Sequence, residues 1–158
     1  MIETLPGVVH QHHAALLPHV NALAEIADQV GKLTVDELSE RVEWEHKFMV
    51  GQLIPHMEQA EAAIYPELER LMQNRHSMTP MRHEHAVLRR LIAELGASRG
   101  HITGFGAQLR LRRLLFRMYA LIKIHLGEEE AYIDILRRNL SPAEAAEVAR
   151  GLAHATAD

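Results

Sequence analysis

Four long stretches of this chain place apolar side chains every three or four residues, and none alternates as a strand would. That leaves helices packed on helices as the way to bury a core. The first stretch, about 8–30, carries Val9, His13, Leu16, Leu17, Val20, Leu23 and Ala27 on one side. Gly31 follows it, where glycine commonly ends a helix. Thr34 and Glu37 then form a capping-box pattern for a second helix, about 35–73. Its stripe runs Leu38, Val42, His46, Met49, Leu53, His56, Ala60, Ile64, Leu68 and Leu71, interrupted by Pro55 and Pro66. Each proline removes a hydrogen bond and favours a bend. Thr79-Pro80 opens a third helix, about 80–96, with Met81, His85, Leu88, Ile92 and Leu95 inward, and Gly96 and Gly100 are expected to end it. A fourth, about 105–138, presents Leu111, Leu114, Leu115, Met118, Leu121, Ile122, His125, Glu129, Tyr132 and Leu136. Ser141, Pro142 and Glu144 start a short fifth helix, about 142–152.

Short connections between long amphipathic helices favour antiparallel neighbours. The expected fold is therefore all-α: an up-down-up-down four-helix bundle with an added C-terminal helix, in one domain over 1–158. The chain has no cysteine, which excludes disulfides and thiolate metal sites. No apolar run approaches the roughly 20 residues of a membrane span. The start, MIETLPGVVHQHH, lacks the pattern of a secretory signal, so a cytoplasmic protein is expected. The net charge of −4 does not suggest nucleic acid. Arg110, Arg113 and Arg117 share a helix face that reads as solvated.

Twelve histidines are several times ordinary usage, and they are spread along the chain rather than clustered as a tract. His13, His56, His85 and His125 occupy core positions, one on each long helix. His125 and Glu129, four apart, project on one face. Inward polar groups need partners, because an unpaired buried carboxylate is costly. A metal would satisfy all of them together. Histidine with carboxylate and no thiolate suits iron, manganese or zinc.

In their order, these segments resemble the hemerythrin-like HHE cation-binding family. HHAALLPHVNAL contains His13, HMEQAEAAIYPEL contains His56, EHAVLRRL contains His85, and HLGEEEAYIDIL contains His125 with Glu129. The resemblance spans about His13 to Leu136. It implies a non-haem centre of two iron ions with an oxo or hydroxo bridge, and H₂O₂, O₂ or nitric oxide as the reacting partner. His13, His56, Glu61, His85, His125 and Glu129 are the implied ligands.

The chain departs from the family pattern in three places. The acid usual four residues after the second histidine is replaced by Ala60. Glu61 is the substitute, but five residues turn an ideal helix about 500°, so it needs a local bulge, for which Pro55 gives a reason. Met81 stands where oxygen carriers place another histidine, which argues against reversible O₂ carriage. The last helix has Glu129 and Glu130 rather than an aspartate at the second position. Glu130 is open between ligand, supporting residue and surface. His12 is an alternative to His13, and Tyr132 could point into the space beside Met81 or simply belong to the core. His46 is inward but about 15 Å along its helix from His56, too far to share a site. His83 is off the inward stripe, and His10, His19, His76, His101 and His154 read as surface.

The functional expectation is catalase-like disproportionation of peroxide in oxidative-stress defence. The alternative is a module that binds, senses or stores O₂, nitric oxide or iron without turnover.

Overall fold

The computed structural model describes residues 5–154 and contains no strand among them. Helix α1 is Leu5–Gln29. The next helix, α2, runs over 35–71 as one rod with two wider turns in it: α-helical Val35–Phe48, π-helical Met49–Leu53, α-helical Ile54–Gln59, π-helical Ala60–Ile64 and α-helical Tyr65–Leu71. Helices α3 (Thr79–Ser98), α4 (Phe105–Asn139) and α5 (Pro142–His154) complete the chain.

Both capping boxes form as the sequence predicts. Glu37 N–H donates to Thr34 Oγ1 at 3.3 Å while Thr34 N–H donates to Glu37 Oε2 at 2.9 Å. The Ser141–Glu144 pair repeats this at 3.3 and 2.8 Å. Gly96 does not end α3. The helix passes through it to Ser98, and Gly100 follows with φ +76°. The reason for glycine at 96 is packing: a Cβ there would lie 2.5 Å from His46 Nε2.

The two prolines of α2 each sit just past a π turn. Ile54 N–H reaches back five residues to Met49 O, and Tyr65 N–H to Ala60 O. A proline ring collides with the carbonyl four residues earlier and has no N–H to offer it. Widening the preceding turn accommodates the ring and adds one residue to the helix register.

Two apolar clusters fill the bundle. One joins Leu23 of α1, Leu38 of α2, Leu95 of α3 and Leu111 of α4. The other joins Leu5, Leu68, Met81 and Leu136 from the opposite ends of the same helices. Successive long helices therefore run in alternating directions, which is the expected up-down-up-down arrangement. Val148, Ala149 and Leu152 dock α5 onto the second cluster. Between the clusters lies a layer of buried polar side chains.

Candidate metal centre

The polar layer draws on all four long helices. His13, His56, His85, His125 and Glu129 are all buried, and Glu129 is 0% exposed. Each arrives on the inward stripe of its helix, flanked by apolar residues that fix its height. In α4, His125 and Glu129 are one turn apart between Ile122 and Ile133.

The imidazoles share one orientation. Three of them present Nδ1 to a carboxylate at the rim: His13 to Glu130 at 3.2 Å, His85 to Glu61 at 2.6 Å, and His125 to Glu84 at 2.8 Å. A carboxylate only accepts, so these contacts place a proton on Nδ1; in His85 and His125 that leaves the Nε2 lone pair free to bind, whereas His13 also meets Glu129 through Nε2 and donates from both nitrogens. This is the way metal-ligating histidines are commonly supported, with the outer carboxylate fixing tautomer and ring angle.

The Nε2 atoms converge at the centre. His13 and His56 Nε2 lie 3.0 and 2.9 Å from the same oxygen, Glu129 Oε2. His13 Nε2, His56 Nε2 and a Glu129 oxygen form a set whose ligand atoms all lie within 4.8 Å of one another. On the other side, His85 Nε2 lies 2.9 Å from His125 Nε2 and 3.0 Å from Tyr65 Oη. If both rings carry their protons on Nδ1, two lone pairs face each other, and the Tyr65 hydroxyl can donate to only one of them. The other Glu129 oxygen, Oε1, is buried without a hydrogen-bond partner among the described residues. Converging acceptors and an orphaned carboxylate oxygen are what a cation would relieve. The donor set of imidazole, carboxylate and phenol oxygen, without sulfur, fits iron, manganese or zinc.

The electrostatics follow from this geometry. Burial opposes charge on Glu129, but hydrogen bonds from His13 and His56, with the charges of His56 and His125, hold its carboxyl far below the usual range. Burial likewise opposes a cation at His13, yet Glu129 and then Glu130 outweigh it and raise its pKa. Burial and the neighbouring His125 push His85 down to about 4, against the pull of Glu61. Burial also lowers His125, despite Glu129 nearby. Burial and the charges of Glu129, Glu61 and Glu84 raise the Tyr65 phenol. The layer therefore holds two neutral rings beside a strongly bound anion.

Residues 4–133 match the hemerythrin HHE cation-binding domain. The chain belongs to this family. No curated protein matches it, and no solved structure does. The HHE match spans α1 to α3 and α4 as far as residue 133, and it includes every residue of the polar layer.

The structure buries five of the residues expected from the HHE resemblance in one layer, His13 and His56 in contact with Glu129, and His85 in contact with His125. Glu61 stands behind His85, on Nδ1, and also accepts from Arg89 at 3.0 Å. Burial disfavours its charge, but these two donors lower its pKa. Glu61 lies in the π turn Ala60–Ile64, the one ahead of Pro66; the turn ahead of Pro55 precedes His56, and neither carries Glu61 into the centre. Glu130 takes the same supporting position at His13. His12 is half-buried, with its ring 6.1 Å from that of His56. Tyr132 is half-buried against the second apolar cluster.

The tyrosine that meets the imidazoles is Tyr65, which the helical stripe does not mark. It is nine residues past His56, about 180° away on an ideal helix. The inserted residue of the π turn makes nine count as eight, which brings it to within about 80° of His56's side. The signal for this was Pro66, immediately after it. Glu84 had no signal beyond its position next to His85. His19, expected at the surface, stacks on Phe48 at 3.4 Å between centroids and contacts buried Glu45 at 3.0 Å. Arg110, Arg113 and Arg117 are exposed, as the charge pattern suggested. No helix among the described residues is long and apolar enough to cross a membrane.

Proposed function

We propose that the polar layer holds two iron ions and disproportionates hydrogen peroxide. The observation that carries this reading is the split of the layer into two groups of inward donors, His13 and His56 on Glu129, and His85 with His125 and Tyr65, with Glu129 one turn along α4 from His125. A pair of irons supplies a two-electron couple, which one peroxide can oxidise and a second can reduce, with the sum 2 H₂O₂ → 2 H₂O + O₂.

The chain contributes position, charge and exclusion of water. Glu129 is the one fully buried anion of the layer, and it would hold the metal through a carboxylate whose Oε1 has no other partner among the described residues. Glu61 and Glu84 hold His85 and His125 in the binding tautomer, and Glu130 supports His13, without entering the centre. The apolar clusters above and below favour small neutral molecules over charged ones. Buried Met81 offers no further imidazole to the centre, which argues against the ligand set of a reversible O₂ carrier.

Metal analysis with an absorption spectrum, followed by oxygen-electrode measurement of iron-loaded protein given H₂O₂, tests this. Two irons per chain and O₂ evolution are expected. Intact di-iron protein that evolves no O₂ rules out the peroxide activity. A reversible spectral change with O₂ or nitric oxide in the same sample would instead make the chain a binding, sensing or storage module.

A further inference from the structure

One imidazole of the polar layer is less closed than the rest. His13, His85, His125 and Glu129 are at most 1% exposed, whereas His56 is 7% exposed. His56 is also the one ring of the four with no carboxylate on Nδ1 among the described residues. Its Nε2 is turned inward onto Glu129, and the ring borders a groove of about 550 Å³ between α1 and α2. The groove and the centre therefore share His56 as a wall.

The lining of this groove suits passage of a small molecule. Water occupies about 30 Å³ in the liquid and peroxide is little larger, so there is ample room. No lysine, arginine or carboxylate lines it. The groove between α1 and α4, which also approaches the layer, carries Glu130, Asp134 and Arg137. Both rims of the uncharged groove are low. Ala15 on α1 and Gly51 in the π turn Met49–Leu53 are exposed lining residues, and a Cβ at Gly51 would meet no atom within 4 Å.

We propose that this groove is the passage by which small reactants reach the His13–His56 end of the centre, and that Ala15 and Gly51 keep it open. Gly51 has no side chain to act on a metal, so its part is to leave room. The proposal rests on the layer holding iron, but not on peroxide turnover.

The probe is azide, a three-atom ligand followed by its charge-transfer absorption on diferric full-length protein in a stopped-flow mixer, with no peroxide present. Gly51→Phe and Ala15→Phe narrow the groove from opposite helices. In each, association and dissociation should both slow at least about tenfold while Kd changes less than about twofold, because entry and exit cross one shared barrier. His10→Phe, in the groove between α1 and α4, should leave both rates unchanged. Circular dichroism and iron content identify a variant that fails to fold, and the other groove variant then carries the test. Unchanged rates in iron-loaded groove variants overturn the proposal. So does a slowing produced by His10→Phe alone, or a shifted Kd with an unchanged association rate, which marks an effect on the iron site itself. Protein that takes up no iron refutes the passage and the centre together. Groove-dependent azide rates without O₂ evolution from H₂O₂ leave the passage standing and refute the peroxide activity alone.

Discussion

Glu129→Leu separates the polar layer's role in stability from its role in binding a cation. Leucine keeps most of the volume and removes only the carboxylate. In metal-free protein the variant loses the contacts of Glu129 Oε2 with His13 at 3.0 Å and His56 at 2.9 Å. Hydrogen bonds to a charged group contribute about 1.5–3 kcal/mol each, so their sum is roughly 3–6 kcal/mol. The gain that offsets this is removal of the unpartnered Oε1, about 1–3 kcal/mol by the same measure. A net loss of about 2–3 kcal/mol remains. At roughly 2–4 °C per kcal/mol for a domain of this size, Tm should fall by about 4–12 °C. Scanning calorimetry of metal-free wild type and variant measures it. The second half of the experiment adds metal. Free cation at about 100 times Kd stabilises the wild type by about 2.7 kcal/mol. The variant should lose most of that gain, because the buried oxygen donor that meets His13 and His56 is gone. Glu58→Leu, at an exposed position of α2, should retain both properties. If Glu129→Leu is as stable as wild type and keeps its metal-linked rise in Tm, the geometric argument for the centre is wrong.

Metal-free protein should lose stability in acid. The folded pKa of His85, about 4, lies below its ordinary 6.5, so between those values the unfolded chain binds more protons and stability falls as pH falls. At pH 5 the loss from this ring is about 2 kcal/mol relative to neutral pH. Glu129, held low when folded, adds a loss in stronger acid, whereas His13, held high, contributes stability that disappears as pH rises through its folded value. Thermal melts from pH 5 to 9 should therefore peak near neutrality, and a Tm unchanged at pH 5 would count against the buried neutral ring. Tyr65→Phe removes the hydroxyl 3.0 Å from His85 Nε2 and should cost about 1 kcal/mol by urea denaturation of metal-free protein. Gly96→Ala brings a methyl against His46 and should fail to deliver the usual gain of alanine over glycine in a helix; in a His46→Ala background the same change should stabilise by about 0.5–1 kcal/mol. Thr34→Ala should cost about 1 kcal/mol through loss of its cap, again by urea denaturation.

The sequence alone determined the helices, their order and most of the inward residues. Apolar spacing depends on local helix geometry, so His13, His56, His85, His125 and Glu129 could be placed on buried faces before any helix was packed against another. Capping boxes are equally local, and Thr34 and Ser141 started their helices where expected. What only the tertiary structure decided depends on contacts across helices or on departures from the ideal period. Gly96 reads as a stop, yet it is the hollow that receives His46 from another helix. Glu84 and Glu130 are neighbours of inward residues, and only packing turns them onto imidazole Nδ1 atoms. Tyr65 lies off the stripe until a π turn ahead of Pro66 adds one residue and rotates it inward. The sequence carries that proline, but the direction in which the helix yields to it is set by the bundle around it.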